Sequence, residues 1–185
     1  MKKTHNKKLR IAVLASNAVR IPPRPQDVPP NWSGAPERVA WQITEGLVKR
    51  GHAVSLYASG DALTHAKLVS IRQQASFNDQ AVGLKHHKDW EFALASKCYQ
   101  DADRWGFDVI HSHLPLVAGP LAGLIRTPTV HTMHSPLNSS IHTQYTKNQF
   151  YVSISQNQRK PFPHLPWLAT VYHGLDLAEF PVVLK

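Results

Sequence analysis

The chain has 185 residues, 42% of them hydrophobic and 18% charged, which suits one ordered domain with a sizeable core and excludes a disordered or collagen-like polymer. Its formal charge of +9 at pH 7 raises the question of polyanions, but the basic residues are scattered and accompany no helix-turn-helix or zinc-finger spacing, so nucleic acid is not an expected partner. Cys98 is the single cysteine, which rules out an intrachain disulfide and fits a reducing, cytoplasmic setting.

Residues 1–8 read as a solvated basic leader carrying Lys2, Lys3, Lys7 and Lys8. The apolar stretch behind it, Ile11–Ala15, is too short for a signal peptide and stops at Ser16-Asn17. The longest nearly apolar run, Leu114–Ile125, is 12 residues with two prolines, against the roughly 20 that a spanning helix needs. Peripheral contact with an anionic membrane surface, or attraction of a phosphorylated ligand, stays open as the minor use of the charge.

Leu9–Ala15 is the continuous apolar run of a parallel strand buried on both faces. A long proline-rich loop follows, Ser16–Gly34, and loops of that length in a compact domain tend to be functional or disordered. Pro36–Arg50 is expected to be a helix, with Pro36 in its first turn, Val39, Ile43 and Leu47 on one stripe, and Gly51 as its stop. Ala53–Ala58 then completes a βαβ crossover. Lys67–Ile71 is a short strand, His87–Trp105 an amphipathic helix, Asp108–Ser112 a strand, Leu116–Ile125 a helix broken or tilted by Pro120, and Thr129–Met133 a strand. Phe150–Ile154 and Leu168–Tyr172 are two more strands, linked by a helical piece near Ser155–Lys160. The alternation predicts an α/β fold, Rossmann-like, with an open, mostly parallel sheet and helices on both faces. In such sheets ligands bind beyond the carboxyl ends of the strands, near the switch in strand order.

Two constellations fall there. The first is the approach to the first helix, where the small residues Ser33 and Gly34 let backbone come close to a ligand and the helix N-terminus offers unpaired N–H groups; a plain helix cap is the competing reading. It is not a dinucleotide fingerprint, because the turn after the first strand reads Ala15-Ser16-Asn17-Ala18, so a nicotinamide enzyme is not expected. The second is a set of histidines. His111 and His113 share one face of their strand by alternation, and His131 and His134 lie at the end of another, so that up to four imidazoles could gather at one sheet edge. A zinc site is the sharper alternative, but the spacings lack an accompanying carboxylate or cysteine, and no metal is expected. Trp41, Trp90, Trp105 and Trp167 are expected in packing, whereas Trp32 would border a cleft.

Seven stretches in order carry a resemblance: Ser33-Gly34-Ala35-Pro36-Glu37-Arg38-Val39; Leu47 to Val54 (LVKRGHAV); Ala58 to Thr64 (ASGDALT); Phe107 to His113 (FDVIHSH); Pro128, Val130, Thr132 and His134; Val152, Ile154, Ser155 and Gln158; and Val171, His173, Gly174, Asp176 and Phe180. In these the chain resembles the N-terminal domain of a glycosyltransferase of family 4 type, one half of a GT-B architecture. The resemblance implies that residues 9–180 form the acceptor-side domain of a retaining enzyme that transfers a sugar from a nucleotide-diphosphate sugar. The acceptor would be a carbohydrate, a lipid-linked or a small molecule, and no cofactor would be needed beyond the donor substrate. It implies that His134 works near the reacting centre and that Ser33, Gly34, Glu37 and Arg38 belong to the loop facing donor phosphates and acceptor. Trp32, His111, His113, Ser135, Ser155, His173, Gly174 and Asp176 would line the cleft. Two departures stand out. Ser33 replaces the first glycine of the usual pair and limits backbone freedom at positive φ. The resemblance also implies a second domain, so 181–185 would open an interdomain linker, and the chain without that C-terminal domain is expected to be inactive alone. The alternative is a stand-alone, non-catalytic sugar- or phosphate-binding or regulatory domain of the same descent.

Overall fold

The apolar run at the start of the chain becomes strand β1 (Arg10–Leu14), with Ala12, Val13 and Leu14 wholly buried, as a strand covered on both faces must be. A computed structural model describes residues 7–137 and 140–174. Most of the basic leader, Asp176, Phe180 and the 181–185 stretch lie outside the described residues.

Seven strands form one sheet: β1, β2 (Ala53–Tyr57), β3 (Lys67–Val69), β4 (Val109–Ser112), β5 (Thr129–Thr132), β6 (Gln149–Ser153) and β7 (Trp167–Thr170). Their spatial order is β3-β2-β1-β4-β5-β6-β7, and every pairing is parallel. The order reverses direction between β1 and β4, and this is the switch point. The fold is therefore the expected α/β, Rossmann-like one.

Alternation along the strands divides the core. Ile11, Val13, Val54 and Leu56 face helix α1 (Ala35–Lys49), which presents Ala40, Trp41, Leu47 and Val48. Ala12, Leu14, Tyr57 and Ile110 face helix α2 (Gly83–Trp105), through Leu94, Ala95, Cys98, Tyr99 and Ala102, and helix α3 (Pro115–Ala122), through Ala118 and Ala122. Each fully buried side chain of the size of Leu94 or Ile110 contributes about 1.5–3 kcal/mol. On the α2 side of the core the polar groups of Tyr57, Lys97 and Asp101 pair: Tyr57 donates to Asp101 Oδ2 at 3.0 Å, and Lys97 reaches the same carboxylate at 2.6 Å.

Several elements differ from the sequence expectations at their ends. Helix α2 begins at Gly83 rather than His87, and α3 closes at Ala122 although its apolar character runs on. Pro120 lacks an N–H to donate, and Gly123 caps the helix three residues after it. Two short helices, α4 (Ile141–Gln144) and α5 (Gln156–Arg159), flank β6; α4 has too few residues for a visible period. The loop after β1 is packed rather than loose. Asn17, Ala18, Val19 and Ile21 are fully buried, and the backbone carbonyls of Asn17, Ala18 and Ile21 accept from Ser76, Phe77 and Leu63. A short 3-10 turn, Pro25–Asp27, is clamped where Arg24 donates twice to Asp27 at 2.7 and 2.8 Å.

Candidate functional site

The crevice at the switch point holds a cavity of about 380 Å³. Its walls come from chain segments that the parallel topology delivers to one edge: Ser16 after β1, His113 and Leu114 after β4, and Met133 to Leu137 after β5. The first turn of α1 adds Pro36 and Glu37, the first turns of α2 add His87, Lys88 and Glu91, and Trp32 stands at the rim. Trp32 is 42% exposed and packs edge-on against Phe77 and His87, with ring centroids 4.8 and 5.7 Å away. Leu114, Val117, Met133 and Leu137 make much of the wall apolar.

Four histidines form a row beside and within this cavity. His111 stacks on His113 at 4.8 Å between centroids, His113 on His134 at 5.0 Å, and His134 on His173 at 5.5 Å. His113 Nδ1 and His134 Nε2 share a hydrogen bond of 2.7 Å, and His111 Nε2 meets Thr132 Oγ1 at 2.8 Å. Burial pushes His111 and His134 down to about 4; at His134 the neighbouring His173 and His111 add to it. His113 lies well below the ordinary histidine value, through burial first and then the surrounding imidazoles. His173, nearer the surface, is lowered by burial too. At neutral pH the row therefore carries no charge, and each ring offers one donor and one acceptor nitrogen.

His131 is not in the row. Alternation along β5 turns it to the opposite face from Thr132, where Nε2 donates to Gln149 Oε1 at 2.9 Å and the ring stacks on Tyr151 at 5.3 Å. The fourth place belongs to His173, in the segment after β7, which returns over α1 so that Val171 to Gly174 face Val39, Ile43 and Leu47 across a groove. Asp176 lies outside the described residues.

The acidic side of the cavity is Glu37 and Glu91. Glu37 is only 4% exposed, and burial, with the charge of Glu91 behind it, raises its carboxyl above the usual range. Glu91 accepts from Ser16 Oγ at 2.6 Å, and that hydroxyl in turn accepts from the Ala18 N–H at 2.9 Å. Glu91 and Ser16 escaped sequence reasoning. The signal was present: Glu91 sits three and four residues before Leu94 and Ala95, so a carboxylate interrupts the buried stripe of α2.

Of the residues singled out in the sequence, Trp32, Glu37, His113, His134 and Ser135 meet around the cavity. Ser33, Gly34 and Arg38 lie at the start of α1 outside its lining, and His111 stands behind His113. Gly34 caps α1 at φ 65°, and a Cβ there would stand 3.0 Å from Val28 Cγ2. Ser33 is not among the positive-φ residues, and its Oγ accepts from Ala35 N at 3.3 Å, so the missing first glycine costs the backbone nothing. Ser155 lies elsewhere, capping α5 by accepting from Gln158 N at 3.2 Å. That cap orients Gln158, whose Nε2 donates to the carbonyls of Met133 and Ser135 at 3.1 and 2.8 Å, fixing the backbone on both sides of His134. Gly174 is exposed, and a Cβ there would meet open space. Among the described residues no three His, Cys, Asp or Glu side chains are arranged to hold a metal ion. No helix among them is long and apolar enough to cross a membrane.

The sequence profile of Glycosyltransferase Family 4 matches residues 36–177, most of the chain and all of the cavity's walls apart from Ser16 and Trp32. The chain belongs to Glycosyltransferase Family 4. Among solved structures, this family 4 domain is similar to AviGT4, a glycosyltransferase involved in avilamycin A biosynthesis, at 17% identity and a TM-score of 0.48. The alignment covers 92% of this chain and 43% of AviGT4, so the family 4 domain described here spans less than half the length of that protein. No curated protein matches it.

Proposed function

We propose that this chain is the acceptor-side domain of a retaining glycosyltransferase, working with a donor domain that binds a nucleotide-diphosphate sugar. The observation that carries the reading is the cavity at the β1–β4 switch point, where the neutral His113–His134 pair meets an apolar wall in a family 4 domain. A volume of about 380 Å³ suits one or two sugar-sized rings, at the small end of the usual range for ligand sites. Trp32 and the Leu114–Val117 wall would take the C–H face of an acceptor, and polar atoms on the far side would take its hydroxyls.

His134 would contribute as an uncharged hydrogen-bonding group, because burial and its neighbours keep it deprotonated at neutral pH. Its hydrogen bond to His113 and the grip of Gln158 on the flanking carbonyls hold the ring without further rearrangement, which is how preorganised dipoles assist a developing charge. The N-terminus of α1, whose N-cap Gly34 has no side chain to cap it, would face the donor phosphates across Ser33 and Gly34. No metal is called for. The single buried cysteine supports a reducing, cytoplasmic setting, and the acceptor would be soluble or lipid-linked, with peripheral membrane contact serving the latter.

Transfer assays on the complete polypeptide test this. His134→Ala should lower kcat by about 100-fold or more while acceptor KM changes little, in line with removal of a preorganised polar group. Retention would show as an unchanged anomeric configuration by NMR of the product. A polypeptide that binds acceptor in this cavity yet transfers nothing with any nucleotide sugar would instead be a regulatory binding domain, and the catalytic reading would fall.

A further inference from the structure

The chain is strongly basic overall, with a formal charge of +9, yet the charged side chains buried in the cavity wall are both acidic. Glu37 and Glu91 are 4% and 7% exposed. Lys88 lies at the edge and is exposed, and the imidazoles of His113 and His134 are uncharged. Among the described residues neither carboxylate is paired with a lysine or arginine. Glu91 receives one hydrogen bond, from Ser16, whereas Glu37 Oε2 is buried with no partner. His113 Nε2, in the same wall, is likewise buried and unpartnered. Proteins leave buried carboxylates unpaired at considerable cost, and two of like charge in one wall cost more than either alone. Groups left in this state at a cavity are met when a ligand supplies what they lack.

We infer that the acceptor is an amine-bearing polyol, an amino sugar or aminocyclitol, whose ammonium group is bound between Glu37 and Glu91. The inference rests on the reading of this cavity as the acceptor site and adds the substrate class. An ammonium offers three donors on a compact charge, enough for Glu37 Oε2 and for the open positions of the Glu91 carboxylate at once. The apolar wall of Leu114, Val117, Met133 and Leu137 lowers the local dielectric and strengthens such a contact. A phosphorylated or carboxylated acceptor would bring its negative charge against two carboxylates, with no buried cation in the described wall to offset them. A neutral sugar could hydrogen-bond there but would leave the pair of charges in place.

The test uses the whole chain, isotope-labelled, titrated by NMR with methyl glucosaminide, methyl glucoside and glucose 6-phosphate, following resonances of Trp32, His134 and the two glutamates. The amine is expected to bind at least about tenfold tighter than the neutral sugar, the gain of one charge-assisted contact. Glucose 6-phosphate is expected to be the weakest. Glu37→Gln, isosteric and free of the buried like charge, should keep the fold and abolish the preference for the amine; Glu91→Gln provides the same comparison from the other helix. Equal binding of amine and neutral sugar at these resonances overturns the amine proposal and leaves the acceptor site standing. Preference for the phosphate overturns it as well. If no sugar of any charge moves these resonances at tens of millimolar, the acceptor site itself is refuted and this inference with it.

Discussion

A buried imidazole that must choose between desolvated charge and neutrality chooses neutrality, and this domain holds several that have done so. Unfolded histidine titrates near about 6.5, whereas His111, His131 and His134 lie at about 4, with burial as the first cause of each shift. Within the row a second proton would sit about one ring spacing from the first, since adjacent centroids are 4.8 to 5.5 Å apart. The 2.7 Å contact between His113 Nδ1 and His134 Nε2 needs one of them to donate and the other to accept, which two imidazolium rings could not do. Nitrogen-15 spectra of the rings at pH 7 should therefore show His111, His131 and His134 neutral, with midpoints near 4 on titration. A protonated ring at any of these positions above pH 6 would show that its surroundings are more hydrated than its burial implies. Glu37 answers the opposite way: burial raises its carboxyl, so its ionisation is the costly state and a cationic ligand the relief.

At the scale of elements, the start of α1 depends on one glycine. Gly34 sits at φ 65°, and a Cβ would press on Val28 Cγ2 at 3.0 Å and Pro23 Cβ at 3.2 Å, side chains of the loop that wraps from β1. Gly34→Ala should cost about 1–2 kcal/mol from the left-handed backbone alone, with crowding added, read as a lower urea midpoint. Ser33→Gly, which creates a glycine pair with Gly34, should change stability by less than about 0.5 kcal/mol, because Ser33 is not held at positive φ. A large gain from Ser33→Gly would contradict that account. The short helix α5 shows a different economy. Ser155 caps it, the cap orients Gln158, and Gln158 secures the carbonyls beside His134. A Val-x-Ile-Ser-x-x-Gln stretch that stands outside the cavity thus fixes the backbone on both sides of His134, the residue proposed to act there.

For the molecule as a whole, the depressed histidines make stability depend on pH. Their folded values lie below the unfolded one, so above about 6.5 neither state is protonated and the neutral packing is intact. As pH falls from there towards about 4, the unfolded chain takes up protons that the folded one refuses, and stability is lost. The slope is on the order of 1.4 kcal/mol per pH unit for each histidine involved, and below the folded values the loss levels off. Urea unfolding at pH 7, 6, 5 and 4 should show a falling midpoint, steepest over the middle of this window. A flat profile would mean that the buried rings are no harder to protonate than free ones. The net charge of +9 grows as histidines titrate and adds general repulsion in the same direction.

The sequence by itself determined the elements and the family. Continuous apolar runs such as Leu9–Ala15, the stripe of Val39, Ile43 and Leu47, and the stop at Gly51 are local signals, since they arise from neighbours in the chain. His111 and His113 could be placed on one face for the same reason, by alternation within one strand. Element ends and the four-residue α4 were less legible, because weak local preference there yields to packing. Tertiary structure alone decided which strands are neighbours, and hence that Ser16 meets Glu91 across 75 residues of chain, that Glu37 and Glu91 share a wall, and that His173 rather than His131 completes the row. Such contacts join segments whose sequences carry no mark of each other. They exist because seven parallel strands bring their carboxyl ends to one edge, and the reversal of order between β1 and β4 leaves a crevice for them to line.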